Sequence, residues 1–118
     1  NANPESMRAA IDTLMAMQRK GRCIAVLSDM LELGSVSAAA HTEVGVYIEK
    51  KKPDAVFTTG TESKKIFDSI KTVKNNLYFE KKKDLINALK QFIQPGDLIL
   101  FKGSRGTKME EVITALMN

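Results

Sequence analysis

Arg22-Cys23-Ile24-Ala25-Val26-Leu27-Ser28-Asp29 is the stretch on which the fold turns: five apolar residues in a row between an arginine and a Ser-Asp pair. A run this short, with no polar residue alternating through it, matches a strand buried on both faces, the kind found in parallel sheets covered by helices. Three further runs repeat the theme: Ala55-Val56-Phe57-Thr58-Thr59-Gly60, Leu77-Tyr78-Phe79 and Leu98-Ile99-Leu100-Phe101. Between them the apolar residues return every three or four positions. Residues 37–51 carry Ala40, Val44, Tyr47 and Ile48 on one side, residues 63–71 read as a further helix, and residues 83–93 bury Leu85, Ile86, Leu89, Phe92 and Ile93.

The ends of the chain extend this pattern. Asn3 followed by Pro4 reads as an N-cap and first helical residue. Met7, Ala10, Ile11, Leu14 and Met17 then give a helix to about residue 19, stopped by Lys20-Gly21. Pro95-Gly96-Asp97 is a turn into the last strand, and Thr107 with Glu110 reads as a capping box for a final helix buried through Met109, Val112, Ile113 and Leu116. Helix then strand, four times over, followed by a helix, specifies an α/β fold. The expectation is a three-layer, Rossmann-like domain with a mostly parallel sheet and helices on both faces.

The chain has 118 residues, 43% of them hydrophobic, which fits one core and a single domain over residues 1–118. Eighteen basic residues against fourteen acidic ones leave a net charge of +4, but the basic residues are spread over several segments. Nucleic-acid binding is therefore not expected, and Lys50-Lys51-Lys52 and Lys81-Lys82-Lys83 read as solvated charge runs at element ends. The single cysteine, Cys23, leaves no intrachain disulfide and no metal-ligand spacing, which points to a reducing compartment. No apolar run approaches the roughly 18 residues that cross a bilayer. A cytoplasmic protein without membrane insertion is expected, and further sequence is expected upstream of Asn1, because no initiator methionine precedes the first helix signal.

In a parallel sheet, ligands lie beyond the carboxyl ends of the strands, so the loops to inspect are residues 29–34, 58–63, 80–83 and 102–106. Lys102-Gly103-Ser104-Arg105-Gly106-Thr107 packs two cations, two hydroxyls and two glycines between a strand and a helix start. Helix N-terminal N–H groups beside two cations would cradle a carboxylate or phosphate. A flexible glycine loop with solvated charges fits the same residues. Asp29 reads either as a turn or cap residue or as a group facing a bound ligand, and Glu32 as a solvated loop charge. His41, the only histidine, has no partner for a metal pair or a Ser-His-Asp set and reads as structural. No phosphate loop of the Gly-x-x-x-x-Gly-Lys-Ser/Thr type, no Gly-x-Gly-x-x-Gly and no paired carboxylates occur, so no catalytic set is complete within the chain.

Four segments in order, Asn1-Ala2-Asn3-Pro4-Glu5-Ser6-Met7, residues 24–34 (Ile24 through Asp29-Met30-Leu31-Glu32-Leu33-Gly34), His41-Thr42-Glu43-Val44-Gly45, and Leu100 through Arg105 with Met109-Glu110, resemble the C-terminal domain of the Mur ligase family. They look most like the branch that adds D-alanyl-D-alanine in peptidoglycan synthesis. The resemblance implies a parent enzyme in which an N-terminal domain holds UDP-MurNAc-tripeptide and a central ATPase domain carries the phosphate loop. ATP would phosphorylate the tripeptide's terminal carboxylate, the amine of D-alanyl-D-alanine would displace the phosphate, and Mg would be bound mainly by the central domain. It further implies nucleotide-facing roles for Asn1, Asn3 and Asp29, and dipeptide-facing roles for Lys102, Ser104 and Arg105. Ser28 stands where the family usually has glycine, from which a slight local adjustment is expected. Two other readings remain: a free-standing regulatory module that binds a small anion, or another amino-acid ligase of the same family.

Overall fold

The computed structural model describes residues 2–17 and 21–118. Its elements follow the expected alternation: α1 (Pro4–Ala16), β1 (Cys23–Leu27), α2 (Ser37–Lys51), β2 (Ala55–Thr59), α3 (Lys64–Asp68), β3 (Asn75–Phe79), α4 (Lys82–Phe92), β4 (Leu98–Lys102) and α5 (Glu110–Met117). All strand pairs are parallel, in the order β3-β2-β1-β4, with Ala25 beside Val56 on one flank and Leu100 on the other. The fully buried run Cys23–Leu27 is thus an interior strand, paired on both edges and covered on both faces.

Alternation along β1 and β2 divides the core. Ala25, Leu27 and Val56 face α1, α2 and α3 through Met7, Ile11, Val44, Ile48 and Ile66. Ile24, Val26 and Phe57 face α4 and α5 through Leu85, Leu89 and Val112. Each large side chain buried this way contributes about 1.5–3 kcal/mol. Phe57 anchors the second layer, its ring 5.1 Å from that of Phe92 and 6.2 Å from that of Phe79.

The cap at Asn3 forms as expected: its Oδ1 accepts from Ser6 N at 2.9 Å, and Ser6 Oγ accepts from Asn3 N at 3.0 Å. The helix closes at Ala16; its expected end at Arg19 and the Lys20 stop lie outside the described residues, as does Asn1. Three expectations change. The helix expected over residues 63–71 spans only Lys64–Asp68, because Asn76 Nδ2 donates to Phe67 O (3.1 Å) and Ile70 O (3.3 Å) and Glu49 Oε1 accepts from Lys71 N and Thr72 N, both at 2.9 Å. The third strand starts at Asn75 rather than Leu77, the two asparagines being polar residues that pair along an edge while their side chains tie down neighbouring loops. The Thr107–Glu110 capping box does not form: Thr107 Oγ1 donates to Ser104 O at 2.6 Å, Lys108 turns the chain at φ 53°, and α5 begins at Glu110 without a side-chain cap.

At the amino edge of the sheet, Arg22 makes a two-pronged ion pair with Asp97 (3.1 and 2.9 Å), donates to Phe92 O at 2.7 Å and stacks over the Phe92 ring. The guanidinium holds the Asp97 carboxyl below its ordinary range. This fastens the Pro95-Gly96-Asp97 turn beneath β1 and β4.

Glu49, in the last turns of α2, is held down to a pKa of about 2, first by the Thr72 hydroxyl and then by the Thr72 and Lys71 amides and Lys52. A carboxyl whose folded pKa lies below its unfolded value stabilises the fold above the unfolded value and loses that contribution as pH falls toward the folded one. Glu49→Gln is therefore expected to lower Tm at pH 7, with the gap to the parent closing between pH 4.5 and about 2 in a series of thermal melts.

Candidate functional site

The chain leaves β1 toward α2 on one face of the sheet and leaves β4 toward α5 on the other. Two loops diverging from adjacent parallel strands open a crevice at the carboxyl edge, the place where ligands bind in open α/β sheets. Here the crevice is a cleft of about 580 Å³, lined by Ala2, Leu31, Glu32, Lys102 and residues 103–106.

Hydrogen bonds join the two loops before they part. Ser28 N donates to Lys102 O at 2.9 Å and Ser104 N to Asp29 O at 2.9 Å, carrying the parallel ladder past the ends of the strands. Ser104, only 2% exposed, then accepts from Leu31 N on its Oγ at 2.8 Å. The approach is close, and glycine fits it without displacing a neighbouring side chain. A Cβ on Gly103 would sit 2.7 Å from Thr107 Oγ1 and 3.1 Å from Ser28 Cβ, and one on Gly106 would sit 2.8 Å from Leu31 Cδ1. Gly103 is also what makes room for Ser28.

Each wall has a second anchor. Met30 N donates to His41 Nε2 at 3.0 Å, so consecutive amides of the first loop are gripped by side chains from α2 and from the second loop. Glu32 follows in a left-handed conformation, φ 64°, a strained backbone that persists only where its surroundings hold it. On the second wall, Lys82 Nζ donates to Thr107 O (2.7 Å), Lys108 O (3.3 Å) and Glu111 Oε1 (2.9 Å), pulling the Glu111 carboxyl below its ordinary range. The reading of Lys81-Lys82-Lys83 as a solvated run is corrected at Lys82. Its main acceptors are main-chain carbonyls 25 and 26 residues away, a partnership that no local sequence pattern announces.

The structure brings Lys102, Ser104 and Arg105 together in the lining of the cleft. Asp29 and Asn3 lie beside it. Asp29 Oδ1 accepts from Ser63 N at 2.7 Å and its carboxylate packs against Gly60, which has no side chain to obstruct it. Asn3 is exposed, its Oδ1 taken by Ser6 N, while its neighbour Ala2 reaches the cleft. The expected helix N-terminal contribution is not there. The segment after the loop is a short 3-10 turn, Arg105–Thr107, and α5 starts beyond it with Glu110 and Glu111 in its own first turn. The cleft owes its positive character to the Lys102 and Arg105 side chains, set against Glu32 alone among the acidic residues lining it. Leu31 was not given a role from the sequence, since an apolar residue in a loop carries no chemical signature. Among the described residues no cluster of three or more His, Cys, Asp and Glu side chains is arranged to hold a metal ion, and no helix is long and apolar enough to cross a membrane.

Comparison with known proteins bears on the family and the fold. A family model described as "Mur ligase, glutamate ligase domain" matches residues 1–105. UDP-N-acetylmuramoyl-tripeptide--D-alanyl-D-alanine ligase of Bacillus subtilis is 41% identical over 99% of the chain, and the Escherichia coli enzyme of the same name is 39% identical over 98%. Among solved structures, a MurF from Acinetobacter baumannii superposes with a TM-score of 0.87 at 30% identity, and MurF ligase from Thermotoga maritima in complex with ADP with 0.80 at 29%, over 99% and 98% of the chain. The chain spans about a quarter of the length of these relatives: 26% of the first, 25% of the second and 26% of each structure.

Ser104→Ala should leave Leu31 N without its buried partner, at a cost of about 1–3 kcal/mol. Urea unfolding of the chain is expected to show that loss as a lower midpoint with an unchanged slope.

Proposed function

The chain belongs to the Mur ligase family, and on that footing we propose that it is the C-terminal domain of an ATP-dependent ligase that joins D-alanyl-D-alanine to UDP-N-acetylmuramoyl-tripeptide in peptidoglycan synthesis. In this reading the protein works in the cytoplasm, and an N-terminal domain and a central ATPase domain precede residues 1–118. Support comes from the names of the relatives, which align with almost the whole chain, and from the fold they share with it. The observation that carries the reading is the pairing of Lys102 with Arg105 in a cleft at the diverging ends of β1 and β4, in a chain with no catalytic set of its own.

The chain's task is binding and orientation. Lys102 and Arg105 receive the carboxylate of the dipeptide, a charge-assisted contact, and so aim its amine at the activated carbonyl of the tripeptide. Ser104 holds the loop that presents both cations. Asn1, Asn3 and Asp29 are assigned to the nucleotide side; Asn3 keeps a side-chain N–H2 to donate while its oxygen serves the helix cap. ATP, with Mg held mainly outside this chain, supplies the phosphoryl group that activates the tripeptide's carboxylate. Positioning needs the tripeptide and ATP, which in this reading the preceding domains hold, so the isolated chain does not turn over.

The family model's own wording, a glutamate ligase domain, is the specific reason to keep a second reading, a ligase of the same family with another amino acid as acceptor. The test is ADP release by this chain joined to the domains that precede it. Release dependent on D-alanyl-D-alanine is expected, and Lys102→Met or Arg105→Met is expected to raise KM for the dipeptide by roughly 10–100-fold, the worth of a hydrogen bond to a charged group, with KM for ATP nearly unchanged. Release with glutamate and not with the dipeptide would transfer the chain to the second reading. Release with neither, together with tight phosphate binding by the chain alone, would make it a small-anion module.

A further inference from the structure

His41 is fully buried in α2, and all its hydrogen-bonding capacity is spent. Nδ1 lies 2.8 Å from Ser37 O and 3.3 Å from Ser37 Oγ, and Nε2 accepts from Met30 N at 3.0 Å. One tautomer satisfies this set: the proton sits on Nδ1, shared toward Ser37, and the lone pair of Nε2 points at the first cleft loop. The line continues outward, because Ser37 Oγ donates to Glu62 Oε1 at 2.7 Å. Glu62 precedes Ser63, whose N–H is held by Asp29 Oδ1 at 2.7 Å.

The contact requires α2 to lie at a set height and distance, and the sequence provides for that one turn after His41. Gly45 is buried on the same side of the helix, and a Cβ there would come within 2.6 Å of Ile66 O. The absent side chain lets α2 press against α3, which keeps the imidazole at the level of the Met30 amide.

We propose that His41 is a positioning residue for the cleft: through the Met30 amide it sets where the first wall, with Leu31 and Glu32, stands opposite Lys102 and Arg105. The proposal rests on the ligase reading above for its substrate. A buried histidine that only filled space would be replaceable by any side chain of its volume. This one supplies an acceptor to one particular N–H, whose neighbour is held by Ser104 from the opposite direction. With both amides fastened, Glu32 is kept in its left-handed conformation at the edge of the cleft.

Two substitutions separate the ring's two nitrogens. In His41→Asn the side-chain amide reaches the Nδ1 position and keeps the Ser37 contact while the acceptor for Met30 is gone. In His41→Gln an oxygen reaches the Nε2 position. In the intact enzyme, KM for D-alanyl-D-alanine is expected to rise about tenfold in His41→Asn and to return most of the way in His41→Gln, with kcat changing less than twofold in both. Val44→Ala, a buried change in the same helix and core layer that removes packing but no hydrogen bond to the Met30 amide, serves as a packing control and is expected to leave KM unchanged. Amide exchange on the chain itself gives a second readout, with faster exchange of Met30 and Leu31, beyond any global change, expected in His41→Asn alone. An unchanged KM in His41→Asn, or an equal rise in Val44→Ala, would overturn the proposal. If the unaltered enzyme used no D-alanyl-D-alanine, the ligase reading would fall, while exchange at Met30 and Leu31 would still decide whether His41 holds this wall.

Discussion

The structure depends on the parallel pairing of β1 with β4 continuing beyond both strands. Ser28 N to Lys102 O carries the ladder one residue beyond β1, and Ser104 N to Asp29 O joins residues that lie beyond both strands. Loops at the carboxyl edge of a sheet usually part at the last strand residue. Here they are stitched for two residues more, and a buried hydroxyl adds a third stitch at Leu31. The glycines at 103 and 106 and the left-handed Glu32 lie where the loops come close, and Lys102 at the end of β4 and Arg105 in the turn after it border the same cleft. Backbone N–H and C=O groups that would otherwise face solvent are paired, which lets a loop region behave as part of the sheet.

In the proposed ligase, rigidity of this kind suits a domain that works against a second one. A cleft wall that must meet a substrate held elsewhere gains from having its own geometry settled beforehand, since ordering it at the moment of binding would weaken binding. The anchors come from three directions: His41 from α2, Ser104 from the second loop and Lys82 from α4. Both layers of helices therefore reach the same edge. The positive charge is carried by side chains and not by a helix end, because α5 begins with two glutamates that occupy its amino terminus.

Much of the fold was legible in the sequence because burial on two faces leaves a plain signature. Cys23–Leu27 is unbroken apolar sequence because it is an interior strand covered on both faces, and the Asn3–Pro4 cap is local chemistry that needs no tertiary partner. The misreadings fall where a hydrogen bond that the pattern does not show overrides a local preference. Asn76 and Glu49 end α3 early, and Ser104 O draws away the hydroxyl of Thr107 that would have capped the last helix. The candidate site was legible in its charged members, Lys102 and Arg105, whose place at the end of an apolar run is a signal in itself. His41 was read as structural and is fully buried, while Lys82 was read as surface charge, because its partners lie on other elements and only the folded chain brings them into contact.

Hydrogen exchange at the amides of Leu31 and Ser104 tests the stitched wall directly. If the two loops form one extension of the sheet, both amides in this chain are protected to within an order of magnitude of the core amides of β1 and β4. Exchange at the rate of an open surface loop, with β1 and β4 still protected, would mean that the wall is not built until something binds, and would contradict the account.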